Sequence, residues 1–151
     1  MERFMEQYQA VYKDMYRLAY YYMGNAEDAE DAVQETALSA YEHFHRLKNK
    51  EAFHPWIFKI LVNRCKKSLK RRKLWGIRKE EPEPSYEPSL TSQAELLELL
   101  GRLEEEERLI VTLIVFGGYK GEEIARLLNK NHSTVRSKYR RALKKLESEL
   151  T

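Results

Sequence analysis

The chain of 151 residues contains little cysteine, glycine or proline. Cys65 is the single cysteine, which excludes an internal disulfide and a cysteine-based zinc site. No apolar run approaches the roughly 20 residues of a membrane span, and the N-terminus lacks an apolar signal core, so we expect a cytoplasmic protein. Six glycines and four prolines leave room for long helices. No alternating strand pattern occurs, and the predicted fold class is all-α.

The net charge of +3 hides a strongly uneven distribution. Residues 46–79 hold thirteen basic side chains and one acidic one, and residues 119–151 hold nine basic and four acidic ones. Acidic blocks precede each of them, over 1–45 and 80–118. Dense basic blocks attract polyanions and release counterions on binding, which predicts two nucleic-acid-binding regions. The alternative is that lysine and arginine only solvate helices.

Three of the four prolines lie between Gly76 and Ser92, among glutamates and serines. Proline fixes φ and removes a backbone donor, so we interpret 76–92 as an extended linker. It separates an N-terminal domain, 1–75, from a C-terminal domain, 93–151. Apolar residues at helical spacing predict two small helical domains. The predicted helices include residues 8–22, 26–44 and 51–73 in the first domain, and 93–102, 104–117, 120–128 and 133–149 in the second.

The third predicted helix has an apolar side and a basic side. The basic residues lie mostly away from the apolar ones at helical spacing. Its predicted buried face consists of Phe53, Trp56, Ile57, Ile60, Leu61, Cys65 and Leu69.

Residues 121–141 have the spacing of a helix-turn-helix. Asn129 stands at the turn, where many such motifs have glycine, and asparagine tolerates the left-handed conformation better than most residues. Ser133 is the predicted N-cap of the second helix. The alternative is a helical hairpin with a solvated basic face. The predicted DNA-reading residues are Ser133, Thr134, Arg136, Ser137, Arg140, Arg141 and Lys144.

Three stretches together resemble the extracytoplasmic-function group of bacterial sigma factors, and they span nearly the whole chain. They are AEDAEDAVQETALSAY from Ala26, FHPWIFKILVNR from Phe53, and the helix-turn-helix. The resemblance implies that the first docks on the clamp helices of the polymerase's largest subunit. It implies that the second opens and reads the minus-ten promoter element, and that the third reads the minus-thirty-five element.

The first stretch carries an acidic face with an apolar centre, which suits docking on a basic coiled coil. The alternative is that these acids only solvate the helix. A metal site at the Asp-x-x-Asp pair lacks further ligands, so no metal is predicted. The predicted polymerase-docking residues are Asp28, Asp31, Gln34, Glu35 and Leu38.

The second stretch and the loop before it combine basic and aromatic side chains, which suits the capture of unstacked bases. The alternative for Phe53 and Trp56 is a place in the hydrophobic core, and we favour that alternative for Phe53. His43, His45 and His54 are interpreted as polar surface residues or phosphate neighbours. Pro55 departs from the polar residue more usual in the family. The predicted minus-ten contacts are Arg46, Lys48, Asn49, Trp56, Lys59, Asn63, Lys66, Lys67, Lys70 and Arg71.

The resemblance implies a sigma factor that binds core RNA polymerase and promoter DNA and starts transcription. It also implies an anti-sigma factor, which is often membrane-bound. We expect no cofactor and no small-molecule substrate. One alternative is a free-standing helix-turn-helix regulator, which would need no docking helix. Another is a serine recombinase, but only Ser39 and Ser68 lie in the first half, outside any strand-turn-helix context.

Overall fold

The computed structural model describes residues 2–76 and 90–150. Within these ranges the chain is helical and has no strand, which confirms the predicted all-α fold class. Most of the predicted linker lies outside the described residues, and the fourth helix begins inside its predicted range, at residue 90. The α-helices are α1 (Glu2–Met23), α2 (Ala26–His43), α3 (Phe53–Leu74), α4 (Leu90–Gly101), α5 (Glu105–Val115), α6 (Gly121–Leu128) and α7 (His132–Leu150).

The first three helices form the N-terminal domain. The chain turns between α1 and α2 at Gly24, whose φ of 94° suits glycine, and the Asn25 side chain caps α2 by accepting the Asp28 N–H at 2.8 Å. Burial raises the pKa of the Cys65 thiol to about 12, so this thiol is a protonated core group. The buried face of α3 consists of Phe53, Ile57, Phe58, Leu61, Val62, Cys65 and Leu69.

That face differs from the predicted one at four positions. Trp56 and Ile60 are half-buried rather than buried, whereas Phe58 and Val62 are buried although the pattern did not predict it. The ring of Phe58 lies 5.7 Å from that of Tyr119 in the C-terminal domain. The C-terminal domain therefore covers a part of α3 that the helical periodicity, considered for the N-terminal domain alone, predicts to be exposed.

The two domains pack against each other through the end of α1. All residues from 18 to 23 are buried, although six consecutive residues go around the whole circumference of a helix. The Tyr21 ring stacks on Phe116 with ring centroids 5.0 Å apart, and Arg108 Nε donates to the Tyr22 carbonyl at 2.7 Å. The C-terminal domain thus closes the side of α1 that the N-terminal domain leaves open. Among the helices of residues 2–76 and 90–150, none combines the length and the hydropathy of a membrane-spanning segment.

Candidate polymerase and nucleic-acid interfaces

The outer face of α2 displays four of the five predicted docking residues. Asp31, Gln34 and Glu35 are exposed, and Leu38 is 66% exposed. Spacings of three and four residues place them on one side of the helix. Arg64 Nη1 lies 3.6 Å from Glu35, at the edge of this surface. This surface therefore combines one exposed apolar side chain with the acidic and amide groups around it.

The fifth predicted docking residue, Asp28, is engaged within the domain. Its Oδ2 accepts from Arg72 Nη2 at 2.6 Å and from Asn25 Nδ2 at 2.9 Å. Arg72 also donates to the Met23 carbonyl at 3.2 Å. These bonds tie the beginning of α2 to the end of α3. Asp28 therefore has a structural contact, made across 44 residues of sequence, that the acidic pattern alone did not reveal.

The outward face of α3 carries the predicted minus-ten residues of this helix in one line. Successive spacings of three and four residues keep them on one side, over about 22 Å of helix at about 1.5 Å per residue. Most of them are exposed, whereas Trp56 and Lys66 are half-buried. No ion pair within the described residues involves the lysines or the arginine of this face. Its members are Trp56, Lys59, Asn63, Lys66, Lys67, Lys70 and Arg71.

In the loop between α2 and α3, some polar side chains face solvent and others form contacts within the domain. Arg46 and Lys48 are exposed. The Asn49 side chain caps the short 3-10 helix that follows, so its oxygen is already in use. Lys50 points inward: its Nζ donates to the Phe44 carbonyl at 2.7 Å and lies 3.9 Å from the centre of that ring. All three predicted loop residues are therefore exposed, and only Asn49 uses its side chain in a hydrogen bond within the loop.

The turn between α6 and α7 has the geometry that a helix-turn-helix requires. Asn129 adopts the left-handed conformation, with φ 55° and ψ 51°, as predicted. Ile124 and Ala125 are buried on α6, and Val135 and Ala142 are buried on α7. The prediction of Ser133 as the N-cap is wrong, because α7 begins one residue earlier, at His132.

The outward face of α7 presents a row of cationic and hydroxyl side chains. Thr134 is half-buried, and the other six predicted residues are exposed. Within the described residues none of the cations of this row forms an ion pair. The exposed members are Ser133, Arg136, Ser137, Arg140, Arg141 and Lys144.

The other lysines near this helix bind the acidic start of α5. Glu106 contacts Lys130 at 2.7 Å and Lys138 at 3.2 Å, and Glu107, only 1% exposed, contacts Lys145 at 2.8 Å. Burial raises the pKa of both carboxyl groups, but the hydrogen bonds and charges of these lysines outweigh it, so each pKa lies below its ordinary value. Neighbouring lysines of α7 therefore have different roles, since Lys145 holds the domain together and Lys144 faces solvent.

A contact between the domains involves His54. Its Nδ1 lies 2.6 Å from the Tyr119 hydroxyl, and its ring stacks on Phe58 at 4.3 Å. Burial lowers the pKa of His54, which favours a neutral ring whose Nδ1 accepts the phenolic proton. His54 is thus half-buried at the contact between the domains, and its interpretation as a polar surface residue or phosphate neighbour stays a prediction. Next to Tyr119, Gly117 has no room for a side chain, since a Cβ would lie 2.6 Å from the Leu113 carbonyl oxygen.

A groove of about 740 Å³ lies between the domains, next to this contact. Trp56 and Lys59 of α3 line one side, and Arg126 and Leu127 of α6 line the other. Two predicted minus-ten residues therefore face the helix-turn-helix domain in this arrangement. No periodicity or motif signals a contact between residues 54 and 119, so sequence reasoning missed it.

Both halves of the chain match regions of one family. Residues 7–74 match Sigma-70 region 2, and residues 93–146 match Sigma-70, region 4. RNA polymerase sigma factor SigV of Bacillus subtilis (strain 168) is 32% identical over 147 residues, covering 92% of this chain and 86% of SigV. This chain belongs to the extracytoplasmic-function sigma factors. It directs RNA polymerase to promoters for the initiation of transcription, as the resemblance implied.

Further relatives of this sigma factor carry the group's name. ECF RNA polymerase sigma factor SigM of Mycobacterium tuberculosis (strain ATCC 25618 / H37Rv) is 29% identical over 138 residues, covering 89% of this chain and 70% of SigM. Because the region 2 match covers most of the first domain, the alternative of a free-standing regulator is not favoured. Sigma factors as a class are not enzymes.

Two solved structures share the fold of this sigma factor. The sigma factor RpoE of Bartonella quintana, in complex with the anti-sigma factor NepR, has a TM-score of 0.87 at 23% identity and covers 99% of this chain and 98% of RpoE. CnrH, in complex with the cytosolic domain of CnrY, has a TM-score of 0.76 at 22% identity, covering 97% of this chain and 86% of CnrH. Since the RpoE match spans both halves, the likeness includes their mutual arrangement.

Proposed function

We propose that residues 1–75 dock on core polymerase and read the minus-ten element, while residues 93–151 read the minus-thirty-five element, with 76–92 as the connection. The observation that carries this division is the pair of separate exposed cationic faces, one on α3 and one on α7. Such a factor acts where polymerase and chromosome are, in the cytoplasm.

Docking rests on the outer face of α2. Asp31, Gln34 and Glu35 complement a basic surface, and Leu38 provides apolar area at the centre of the contact. Asp28 contributes by holding α2 against the end of α3 through Arg72, because its carboxylate is already bonded there. The docking surface thus keeps a fixed position relative to the basic face of α3.

The face of α3 suits an opened element with an adjoining duplex. The half-buried Trp56 provides a ring edge for an unstacked base, and Lys59 and Asn63 lie one and two turns further along. The lysines and the arginine towards the end of the helix contact phosphates, which fix position without reading sequence. Arg46 and Lys48 of the preceding loop add phosphate contacts near the opened strand.

The face of α7 suits duplex DNA. A recognition helix places its N-terminal residues against base edges in the major groove. Arg136, Arg140 and Arg141 have the geometry for paired hydrogen bonds with guanine, and Lys144 contacts phosphate. Lys138 and Lys145 are excluded from this role because they pair with Glu106 and Glu107.

The domains must separate for both elements to be read at once. The two elements lie about 25 base pairs apart, which is about 85 Å of duplex. A compact chain of this length has a radius of gyration of only about 15 Å. Residues 76–89, the part of this connection that precedes α4, reach at most about 50 Å, which allows the two domains to separate while they remain linked. Polymerase would hold them at the required separation, so that the second DNA contact becomes intramolecular.

An anti-sigma factor would favour the arrangement seen in this structure, in which the two domains are in contact. The RpoE and CnrH structures are complexes with NepR and CnrY, and their fold matches that of this chain with its domains in contact. In this arrangement Trp56 and Lys59 line the groove between the domains and are thereby less accessible to DNA. A partner that stabilises this state would oppose transcription.

Docking is tested with the double variant Asp31→Arg, Glu35→Arg. It reverses two charges at the centre of the proposed surface, so we expect binding to core polymerase and run-off transcription to fall together. The variant Glu6→Arg, Glu95→Arg makes the same change of net charge at exposed positions outside that face and serves as the control. Full polymerase binding by the Asp31→Arg, Glu35→Arg variant would contradict the docking surface.

A further inference from the structure

The end of α3 carries two large apolar side chains in water. Leu74 is 75% exposed and Trp75 is 76% exposed, the highest values among the large hydrophobic residues of the described ranges. Neither makes a ring contact or a side-chain hydrogen bond with another described residue. Exposing an indole and a leucine side by side is unfavourable in water, so a ligand that covers them would bind with a gain in free energy.

These two residues continue the cationic face of α3. Leu74 follows Lys67, Lys70 and Arg71 at intervals of seven, four and three residues, which places it on the same side of the helix. Trp75 is the C-cap, and its backbone N–H bonds to the Arg71 carbonyl at 3.0 Å. The helix end therefore fixes the backbone from which the indole extends, beside the cationic row.

The surroundings identify the chemistry of the ligand. On the same side of the helix, Lys67, Lys70 and Arg71 are exposed cations without an ion-pair partner in the described residues. Lys73, which precedes Leu74, pairs with Glu105 at 2.7 Å. A matching surface needs anionic groups next to apolar faces. DNA provides both, since phosphates alternate with base faces and thymine methyl groups. The cationic row beside Leu74 and Trp75 is the proposed DNA face of α3, so a DNA ligand would extend the proposed contact of this helix without a second partner.

We propose that Leu74 and Trp75 form an additional DNA contact, against the duplex between the two promoter elements. This inference rests on the proposed role of the α3 face. Trp56 and Leu74 are separated by 18 residues, or about 27 Å of helix, which corresponds to about eight base pairs. The contact therefore falls on the duplex that adjoins the opened element, where an apolar side chain presses on thymine methyl groups or wedges at a base step.

The position of Trp75 is tested by site-specific crosslinking. A photoreactive benzoylphenylalanine replaces, one at a time, Trp75, Lys67 and Tyr12 in the full chain, and each holoenzyme is irradiated on an end-labelled promoter duplex. We expect crosslinks to DNA from positions 75 and 67, about three base pairs apart, and none from Tyr12, an exposed aromatic of α1. If position 67 crosslinked to DNA while position 75 crosslinked only to polymerase, this inference would be overturned, and the proposed role of the α3 face would stand. Absence of DNA crosslinks from both would count against the proposed function itself.

The energetic role is tested by Trp75→Ala and Trp75→Phe in the holoenzyme. We expect promoter affinity to fall about fivefold for alanine, and less for phenylalanine, because an aromatic contact with a base is worth about 1 kcal/mol or more. Tyr12→Ala is the control for loss of an exposed ring. Circular dichroism verifies that the helices are retained. Equal affinity of Trp75→Ala and the unaltered chain would overturn the inference.

Discussion

The helices α3 and α7 both present a cationic face to solvent, but apolar burial and ion pairs contribute to holding them in different proportions. Seven buried apolar side chains anchor α3, and its Arg72 adds one ion pair, with Asp28. Among residues 132–149 of α7 only Val135 and Ala142 are fully buried, and two lysines of this helix pair with Glu106 and Glu107. The N-terminal domain therefore depends mainly on hydrophobic burial, while the position of α7 also depends on ion pairs that salt and acid can weaken.

The outer faces differ as well. Trp56 lies within the row of cations on α3, and no aromatic side chain stands in the exposed row of α7. Stacking on a ring requires an unstacked base, whereas arginines alone can read base edges in an intact major groove. Under the proposed function, the cations of the two faces contact two different states of DNA, and the neighbouring side chains determine which state each face binds.

The largest effect is expected from Leu61→Ala in the core of α3. This side chain is fully buried, so its truncation leaves a cavity and lowers the free energy of unfolding by about 2–5 kcal/mol. Leu143→Ala on α7, where the side chain is 44% exposed, serves as the matched control and should change little. Urea unfolding followed by circular dichroism measures both. Equal losses would contradict the stated difference between the helices.

The ion pairs are tested by Lys145→Ala. Its removal leaves the Glu107 carboxylate buried with fewer partners, which costs about 1–3 kcal/mol. Lys144→Ala, one residue away, removes the same charge without touching that pair and should leave the free energy of unfolding within about 0.5 kcal/mol. Hydrogen exchange of α5 and α7 locates the effect. Similar exchange in the two variants would show that this pair does not hold α7.

Reading of duplex DNA is tested by Arg140→Ala and Arg141→Ala. Each is expected to lower the binding free energy for the preferred element by about 1–3 kcal/mol and to relax sequence preference. Lys144→Ala should weaken binding evenly on all sequences and reduce the salt dependence by about one counterion. Titration of holoenzyme on a set of altered elements at several salt concentrations gives both quantities. Uniform losses for all three variants would contradict the separation of base from phosphate contacts.

The smallest effect is expected from mild acidification. The pKa values of Glu106 and Glu107 lie below the ordinary value of 4.5, so these groups stabilise the fold fully above pH 4.5. That stabilisation is lost as the pH falls below 4.5 and through the lowered pKa values. Exchange at α7 should therefore rise before exchange at the middle of α3 when the pH is lowered stepwise. Simultaneous loosening of both helices would argue against the electrostatic anchoring of α7.

Much of the architecture followed from local patterns. Residues 26–44 and 120–128 were predicted as helices almost to the residue, because apolar spacing and helix ends are local properties. Asn129 was predicted in its left-handed conformation for the same reason. The predicted site residues remain predictions, although most of them lie exposed on the expected faces. Asp28 and His54 behaved differently because their partners lie 44 and 65 residues away.

The sequence by itself determined the all-helical class, the helix-turn-helix and the alternation of basic and acidic blocks, since periodicity and charge act over a few residues. Only the tertiary structure decided that the two domains meet through α1, that His54 contacts Tyr119, and that Lys145 is structural while Lys144 is exposed. Those choices depend on packing between segments distant in sequence, where a side chain's role is set by whichever surface closes over it.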